Sequence, residues 1–357
     1  MAGERRKKKK KVREKDWVER PDEAFSHDLR RHRRTDTALS DAAPTPDIPE
    51  AFEPNGLVIS HSKKWAFVQL TDKAEAELCR IGEHLVERGA TLLAPGDNVL
   101  VEPIDGEPWV QAIARRRSKL CRPASDHARV AEQVFAANID VLIVVASVAK
   151  PAFKPGLVDR YLIAAQVGDV EPILCLNKMD LVDQEPPELE AYRQLGIPVL
   201  TTSCETGEGI DVLRKALAGK LSVFAGHSGV GKSTLLNALQ PDLDLATREV
   251  SESTNRGKHT TTVARLYELD NGVRVIDTPG IRNLGLWGVS QDEVAYYFPD
   301  IAEYAEACKF RDCTHTHEPQ CAVRDAAESG ALPAQRVASL HRIRESFEEA
   351  QGSPKAR

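Results

Sequence analysis

The sequence has no apolar run long enough to span a bilayer, and its first residues lack the apolar stretch of a secretory signal. Too many acids are mixed into that start for a typical organelle transit peptide. A cytoplasmic protein without a membrane partner is expected. No internal repeat is evident. The cysteines are odd in number and scattered, at 79, 121, 175, 204, 308, 313 and 321, which argues against a disulfide framework. Nothing points to a stable oligomer, so a monomer is expected. What remains is a 357-residue chain with 41% apolar residues, enough for two or three domains with real cores.

Charge is uneven. Residues 1–35 hold 14 Lys and Arg against 7 Asp and Glu, a net of +7 within a chain of −6, which leaves −13 for the rest. Arg5 to Lys11 is an unbroken basic run that repels itself and has nothing to bury. Residues 1–53 are therefore expected to be a disordered arm and linker. The arm reads either as a solubilising tail, as a nuclear-import signal, or as a segment that neutralises nucleic-acid phosphates.

Short apolar runs separated by turn signals follow, among them Leu57-Val58-Ile59, Trp65 to Leu70, Val99-Leu100-Val101 and Trp109 to Ile113. They predict a small β domain. Leu78, Ile81, Leu85 and Val86 recur at helical spacing, which predicts a helix interrupting these strands over 74–90. From about residue 125, strand and helix patterns alternate. Val141 to Ala146, Pro172 to Leu176, Pro198 to Thr202 and Leu221 to Ala225 read as strands, and Leu157 to Val167 and Lys232 to Leu239 as helices. Asp270-Asn271-Gly272 marks a hairpin turn. The pattern is that of an α/β domain with a mostly parallel sheet. The last 70 residues read as helical, ending in a helix with Val337, Leu340, Ile343 and Phe347 on one face.

The loops after these strands carry five sequence blocks of a GTP site, in permuted order. Asn177-Lys178-Met179-Asp180 comes first and Ser203-Cys204-Glu205-Thr206-Gly207 second. The phosphate loop, Gly226-His227-Ser228-Gly229-Val230-Gly231-Lys232-Ser233-Thr234, is third. Thr260-Thr261-Thr262 and Asp277-Thr278-Pro279-Gly280 close the series. An ordinary GTPase begins with the phosphate loop.

Each block implies a role. Glycines at 226, 229 and 231 let backbone N–H groups turn toward phosphate, Lys232 reaches the β- and γ-phosphates, and Ser233 ligates Mg²⁺. The Asp180 carboxylate accepts two hydrogen bonds from guanine, a pairing adenine cannot offer. Asn177 contacts the base edge, and Lys178 packs over the ring. Asp277 and one of Thr260, Thr261 or Thr262, with Thr261 favoured, complete the Mg²⁺ site, and Gly280 donates to the γ-phosphate. Ile281 stands where Ras-like enzymes carry a water-orienting Gln, so unassisted hydrolysis is expected to be slow. His259 is the candidate substitute, or else a surface histidine. Separately, Cys308-x4-Cys313-x-His315-x5-Cys321 offers three thiolates and an imidazole, the donor set of a structural Zn²⁺, with His317 as an alternative fourth ligand.

The motif order, the run Gly257 to Thr262 and the Cys-His cluster together resemble one family, the ribosome small-subunit-dependent GTPases of 30S assembly. Tyr297 to Ile301, Phe310 to Cys313, Glu318-Pro319 and Cys321-Ala322-Val323 extend the resemblance, which spans about 55–350. It implies a circularly permuted P-loop GTPase core, an N-terminal OB-like β-barrel and a C-terminal zinc-containing helical domain. The expected boundaries are 54–122, 123–286 and 287–357. It also implies GTP hydrolysis stimulated by the 30S subunit and contacts with 16S rRNA. Two other readings stay open: a zinc-containing GTP-binding nucleic-acid regulator with little turnover, and a GTP-dependent switch unconnected to ribosomes.

Overall fold

The computed structural model describes residues 52–87, 90–123, 132–240, 264–277 and 286–352. The basic arm, His259, Thr260 to Thr262, Thr278, Gly280 and Ile281 lie outside the described residues. Described residues up to 289 form one compact unit and those from 290 another.

The first unit begins with strands β1 (Gly56–His61), β2 (Trp65–Leu70) and β3 (Glu77–Ile81). The short hairpin β4 (Val86–Glu87) and β5 (Ala90–Thr91) precedes β6 (Asn98–Ile104) and β7 (Glu107–Ile113). The ladder runs β1-β2-β3-β7-β6 and returns to β1, closing a five-stranded barrel. β3 and β7 pair in parallel and the remaining neighbours antiparallel. Closure removes free sheet edges. Side chains alternate across each strand. Val58, Ala66, Val68, Cys79, Ile81, Val99, Val101 and Val110 fill the interior.

The helix expected over 74–90 does not form. The segment is β3, a single 3-10 turn at Glu83–Leu85, and β4. Cys79 and Ile81 are buried while Leu78 is 47% exposed, so the burial period is two, not 3.6. Ladder partners on β2 and β7 reward an extended backbone there, and tertiary pairing overrides the local spacing.

Hairpin β8 (Lys119–Pro123) and β9 (Glu132–Ala137) leads into a mostly parallel sheet. That sheet comprises β10 (Val141–Ser147), β11 (Glu171–Asn177), β12 (Val199–Thr201), β13 (Leu221–Ala225), β14 (Arg265–Glu268) and β15 (Arg274–Asp277), in the order β12-β11-β10-β13-β15-β14. Helix α1 (Pro155–Val167) packs on β10 and β11, and α2 (Leu189–Gln194) on β12. On the other face Leu213 and Leu217 of α3 (Ile210–Leu217) and Leu235, Leu236 and Leu239 of α4 (Lys232–Leu239) pack against Val141, Ile143, Val145, Ile173 and Cys175. All seven residues of β10 are buried, as a strand covered on both faces requires. Each large side chain so placed contributes about 1.5–3 kcal/mol.

Barrel and sheet are one hydrogen-bonded surface, because β1 pairs with β14 at Ser60 and Arg265. A second joint lies between β6 and β9. Asn138 Nδ2 donates to Gly96 O and Ala137 donates to Pro95 O, at 2.8 and 3.0 Å, while Gly96 is held within the barrel by donating to Val58 O at 2.9 Å. Beside it the fully buried Asp97 accepts from Arg116 at 2.6 and 2.7 Å. The joint requires a glycine: Gly96 has φ +90°, and a Cβ there would run into the Ala137 carbonyl. Gly96→Ala is therefore expected to destabilise the protein by about 2 kcal/mol or more in urea unfolding. Gly106→Ala, with φ +83° but open space around it, should lose about 1 kcal/mol.

The second unit has short α5 (Pro299–Ala305), α6 (Ala322–Ser329) and long α7 (Ala334–Gly352). Val337, Leu340 and Ile343 of α7 are buried, and Phe347 is half-buried, as their spacing predicts. Arg336 pairs bidentately with Asp300 at 2.7 and 2.9 Å, and its guanidinium lies 4.6 Å from the centre of the Phe298 ring.

Candidate nucleotide site and metal centre

The sheet sets the site. β10, β11 and β12 step outward in one direction and β13 and β15 in the other. β10 and β13 are parallel, but the order in which strands are added reverses between them, and a crevice opens above their carboxyl ends, where α/β sheets bind ligands. The phosphate loop leaves β13 there. The Asn177 to Asp180 block leaves β11, and Ser203-Cys204 follows β12. Ile276 pairs with Val223, so Asp277 leaves the sheet at the same edge as Gly226.

Asn177 joins the first and third blocks. It is 2% exposed, and its Nδ2 donates to Val230 O in the phosphate loop at 2.9 Å. Its Oδ1 accepts from the buried Thr202 hydroxyl at 3.1 Å, with the Cys204 thiol at 3.7 Å. Burial pushes the Cys204 thiol up, although its contact to Asn177 opposes this. Cys175, beneath Thr202, is pushed up to about 12 by burial. Both sulfurs are thus held protonated at neutral pH, so they pack as small neutral groups.

The Asp180 carboxylate is exposed and already oriented: Ser203 Oγ donates to its Oδ1 at 2.6 Å. The same hydroxyl accepts from Thr206 N at 3.2 Å. Lys178 adopts φ +67°, and its ammonium donates to the Lys150 carbonyl. In the phosphate loop Lys232 Nζ donates to the carbonyls of Gly226 and His227 at 2.8 and 2.9 Å. His227 and Gly229 are exposed and Ser228 is half-buried, while Ser233 and Thr234 at the start of α4 face solvent.

Two glycines of the loop are enforced by contact. A Cβ on Gly226 would meet the Val145 carbonyl, and one on Gly231 would meet Asn177 Nδ2. Thr202 and the Lys150 carbonyl were not foreseen as parts of the site. Thr202 directly precedes the second block, which is a usable signal. A carbonyl acceptor in the β10–α1 loop leaves none.

In the second unit Cys308, Cys313, His315 and Cys321 converge, with all four ligand atoms within 4.8 Å of one another. Cys308 Sγ lies 3.6 Å from His315 Nδ1 and 3.9 Å from Cys321 Sγ, and Cys321 Sγ lies 3.5 Å from His315 Nδ1. Tetrahedral zinc with its usual bond lengths gives ligand–ligand edges of about 3.5–3.8 Å, so the donor set fits. Of the two histidines, His315 joins the cluster; His317 is exposed and its Nδ1 faces the Thr316 hydroxyl at 2.7 Å. Left-handed backbone at His315 and Gln320 turns the chain around the cluster. Glu318 braces that turn. Burial opposes its charge, but hydrogen bonds from the Thr314 hydroxyl and N–H and the His317 N–H outweigh it and hold the carboxyl at about 2. His341 Nε2 lies 3.0 Å from the His315 carbonyl, and burial lowers its pKa, so the neutral ring donates from Nε2 and fixes the loop.

Because Gly231 and Asn177 touch, Gly231→Ala is expected to separate the two halves of the crevice without unfolding the sheet. Nucleotide affinity measured by calorimetry should fall about tenfold or more, and the thermal transition should drop as well, because Gly231 has φ +99° and the displaced Asn177 amide loses a buried partner.

Comparison with known proteins agrees with this geometry. A family profile described as RsgA GTPase matches residues 113–287. The small ribosomal subunit biogenesis GTPase RsgA of Yersinia enterocolitica is 39% identical over 83% of this chain and 85% of its own. The protein of the same name from Serratia proteamaculans is 38% identical over 89% and 90%. The crystal structure of YjeQ from Thermotoga maritima matches with a TM-score of 0.63 at 30% identity, covering 84% of this chain and 99% of that one. YloQ, described as a circularly permuted GTPase, gives 0.60 at 28% identity over 86% and 98%. With the guanine block ahead of the phosphate loop in the sequence and the two tied together by Asn177 in space, the chain belongs to the RsgA family of circularly permuted GTPases.

Proposed function

We propose that the protein hydrolyses GTP under stimulation by the small ribosomal subunit, in late maturation of the 30S particle and through contacts with 16S rRNA. The observation that carries this reading is the Asn177–Val230 link, which joins a guanine-reading loop to a phosphate loop in a chain whose relatives are named for small-subunit biogenesis. The division into a basic arm 1–53, barrel 54–122, GTPase core 123–286 and zinc unit 287–357 belongs to the same reading, as does a monomeric, cytoplasmic protein. No described helix is long and apolar enough to cross a membrane.

In this assignment Asp180, steadied by Ser203, reads guanine, and Asn177 and Lys178 hold the base loop. Met179, Ser203 and Cys204 line the base pocket. The N–H groups from Gly226 to Thr234 surround the phosphates, helped by the field at the start of α4. Lys232 exchanges its two carbonyl acceptors for β- and γ-phosphate oxygens. Ser233, Asp277 and Thr261 would hold Mg²⁺, which screens charge on the phosphates. Gly280 donates to the γ-phosphate, and His259 orients the attacking water in place of the missing Gln. Cys308, Cys313, His315 and Cys321 hold one structural Zn²⁺ per chain.

Turnover by the purified protein should be slow and should rise strongly with 30S but not 50S subunits; equal stimulation by both would overturn the ribosomal reading. His259→Ala should abolish most of that stimulation. Asp180→Ala should remove the preference for GDP over ADP, a change of roughly 100-fold or more in calorimetry. Protein purified without chelator should carry one zinc, and its removal should melt the 290–352 unit, seen as a lost or lowered thermal transition.

A further inference from the structure

Helix α1 packs on β10 and brings one polar group against the loop after β13. Tyr161 is 1% exposed, and it lines a cavity with Val145 and Ser147 of β10, Pro151, and His227 and Val230 of that loop. Its hydroxyl is buried and has no hydrogen-bond partner among the described residues. The N–H of Gly226 faces it. Burial pushes the phenol up to about 12, against the Arg160 charge and that N–H, so the proton stays in place at neutral pH. A buried hydroxyl without a partner costs stability, and a phenylalanine would fill the same space without that cost. The surroundings of the ring are fixed. Ser147 Oγ donates to Pro151 O at 2.7 Å, the Lys150 carbonyl takes the Lys178 ammonium, and Pro151 packs beside Gly229.

The acceptors of Lys232 supply the missing half of the account. Its ammonium donates to the carbonyls of Gly226 and His227 at 2.8 and 2.9 Å. When it turns to the β- and γ-phosphates, both carbonyls lose that donor. His227 is exposed, so water can replace the lysine there. Gly226 is buried, and its carbonyl needs a donor from the protein. Of the two hydroxyls that line the cavity, Ser147's is committed to Pro151, which leaves the proton of Tyr161. Gly226 has φ +155° and no side chain, which lets its peptide turn toward the ring.

We propose that Tyr161 is a positioning residue for the nucleotide-bound state, its hydroxyl taking over the Gly226 carbonyl when Lys232 leaves it for the phosphates. The inference rests on the assignment of Lys232 to phosphate. It deepens that assignment by naming the group that replaces the lysine on the loop. The cost of an unpartnered hydroxyl in the empty site is thereby recovered when nucleotide binds.

The test is Tyr161→Phe in the full chain, which keeps the ring and removes only the hydroxyl. Without nucleotide, its melting temperature should equal or slightly exceed that of the wild type. GDP affinity in calorimetry should fall about fivefold, and the rise in melting temperature on adding GDP should shrink accordingly. In GTP turnover with 30S subunits, KM should rise by a similar factor while kcat stays within about twofold, because the new bond is present in ground state and transition state alike. A tyrosine that merely fills space leaves affinity and KM where they were. Unchanged GDP affinity overturns the proposal. A lower melting temperature in the absence of nucleotide also overturns it, since the hydroxyl is then already bonded in the empty site. If the wild-type protein binds no guanine nucleotide, the functional reading itself fails. If the wild type binds and the variant matches it, only this inference fails.

Discussion

The hydrogen bond from the Asn177 amide to the Val230 carbonyl is the contact on which the site depends. It is buried, it spans 53 residues of sequence, and it fixes the distance between the loop after β11 and the loop after β13. Its geometry in turn dictates Gly231, since any side chain there would occupy the amide's position. Thr202 holds the other end of the Asn177 side chain, so the amide cannot turn away. A buried amide bonded through both its nitrogen and its oxygen is rigid, because breaking one bond leaves an unpaired group that costs about 1–3 kcal/mol.

That rigidity explains why the permuted order of the blocks is harmless. The loops belong to the carboxyl ends of strands β11, β12, β13 and β15, and those ends meet at one edge of the sheet. Which strand comes first in the chain has no bearing on where its loop lies once the ladder forms. What permutation changes is the company of the sheet. A barrel now precedes it and shares its hydrogen bonding through β1 and β14, the strand that leads by hairpin to β15 and Asp277. The barrel and the nucleotide edge are therefore parts of one continuous sheet.

The second unit, residues 290–352, rests on a different principle. Its helices α5 and α6 are short, and its buried polar groups are numerous: His315, Glu318, Arg336, Ser339 and Arg344. These polar groups are buried among apolar side chains such as Phe298, Ile301, Val323 and Leu340, so each needs a partner. The Arg336–Asp300 pair stacked on Phe298 and the Glu318 hydrogen bonds satisfy what is buried. The Cys-His cluster, with His341 of α7 on the His315 carbonyl, ties together the loop between α5 and α6.

Chemistry was the most legible part of the sequence. Glycine, lysine and aspartate at fixed spacing have few uses besides phosphate and guanine, so the permuted GTPase family, the convergence of the donors at 308, 313, 315 and 321, and the strand-helix alternation could be read from the chain alone. Strands β13 and helix α4 begin and end where their apolar pattern does, because local propensity and burial agree there. The segment over 74–90 was misread because four apolar residues at helical spacing say nothing about which neighbours wait on either side. Only the barrel, by placing β2 and β7 next to it, made extended backbone the better-bonded choice. The choice of His315 over His317, the acceptor that Lys150 gives Lys178 and the joining of barrel to sheet were likewise decided in three dimensions. Each depends on groups brought together from distant parts of the chain, and spacing along a sequence carries no information about such distances.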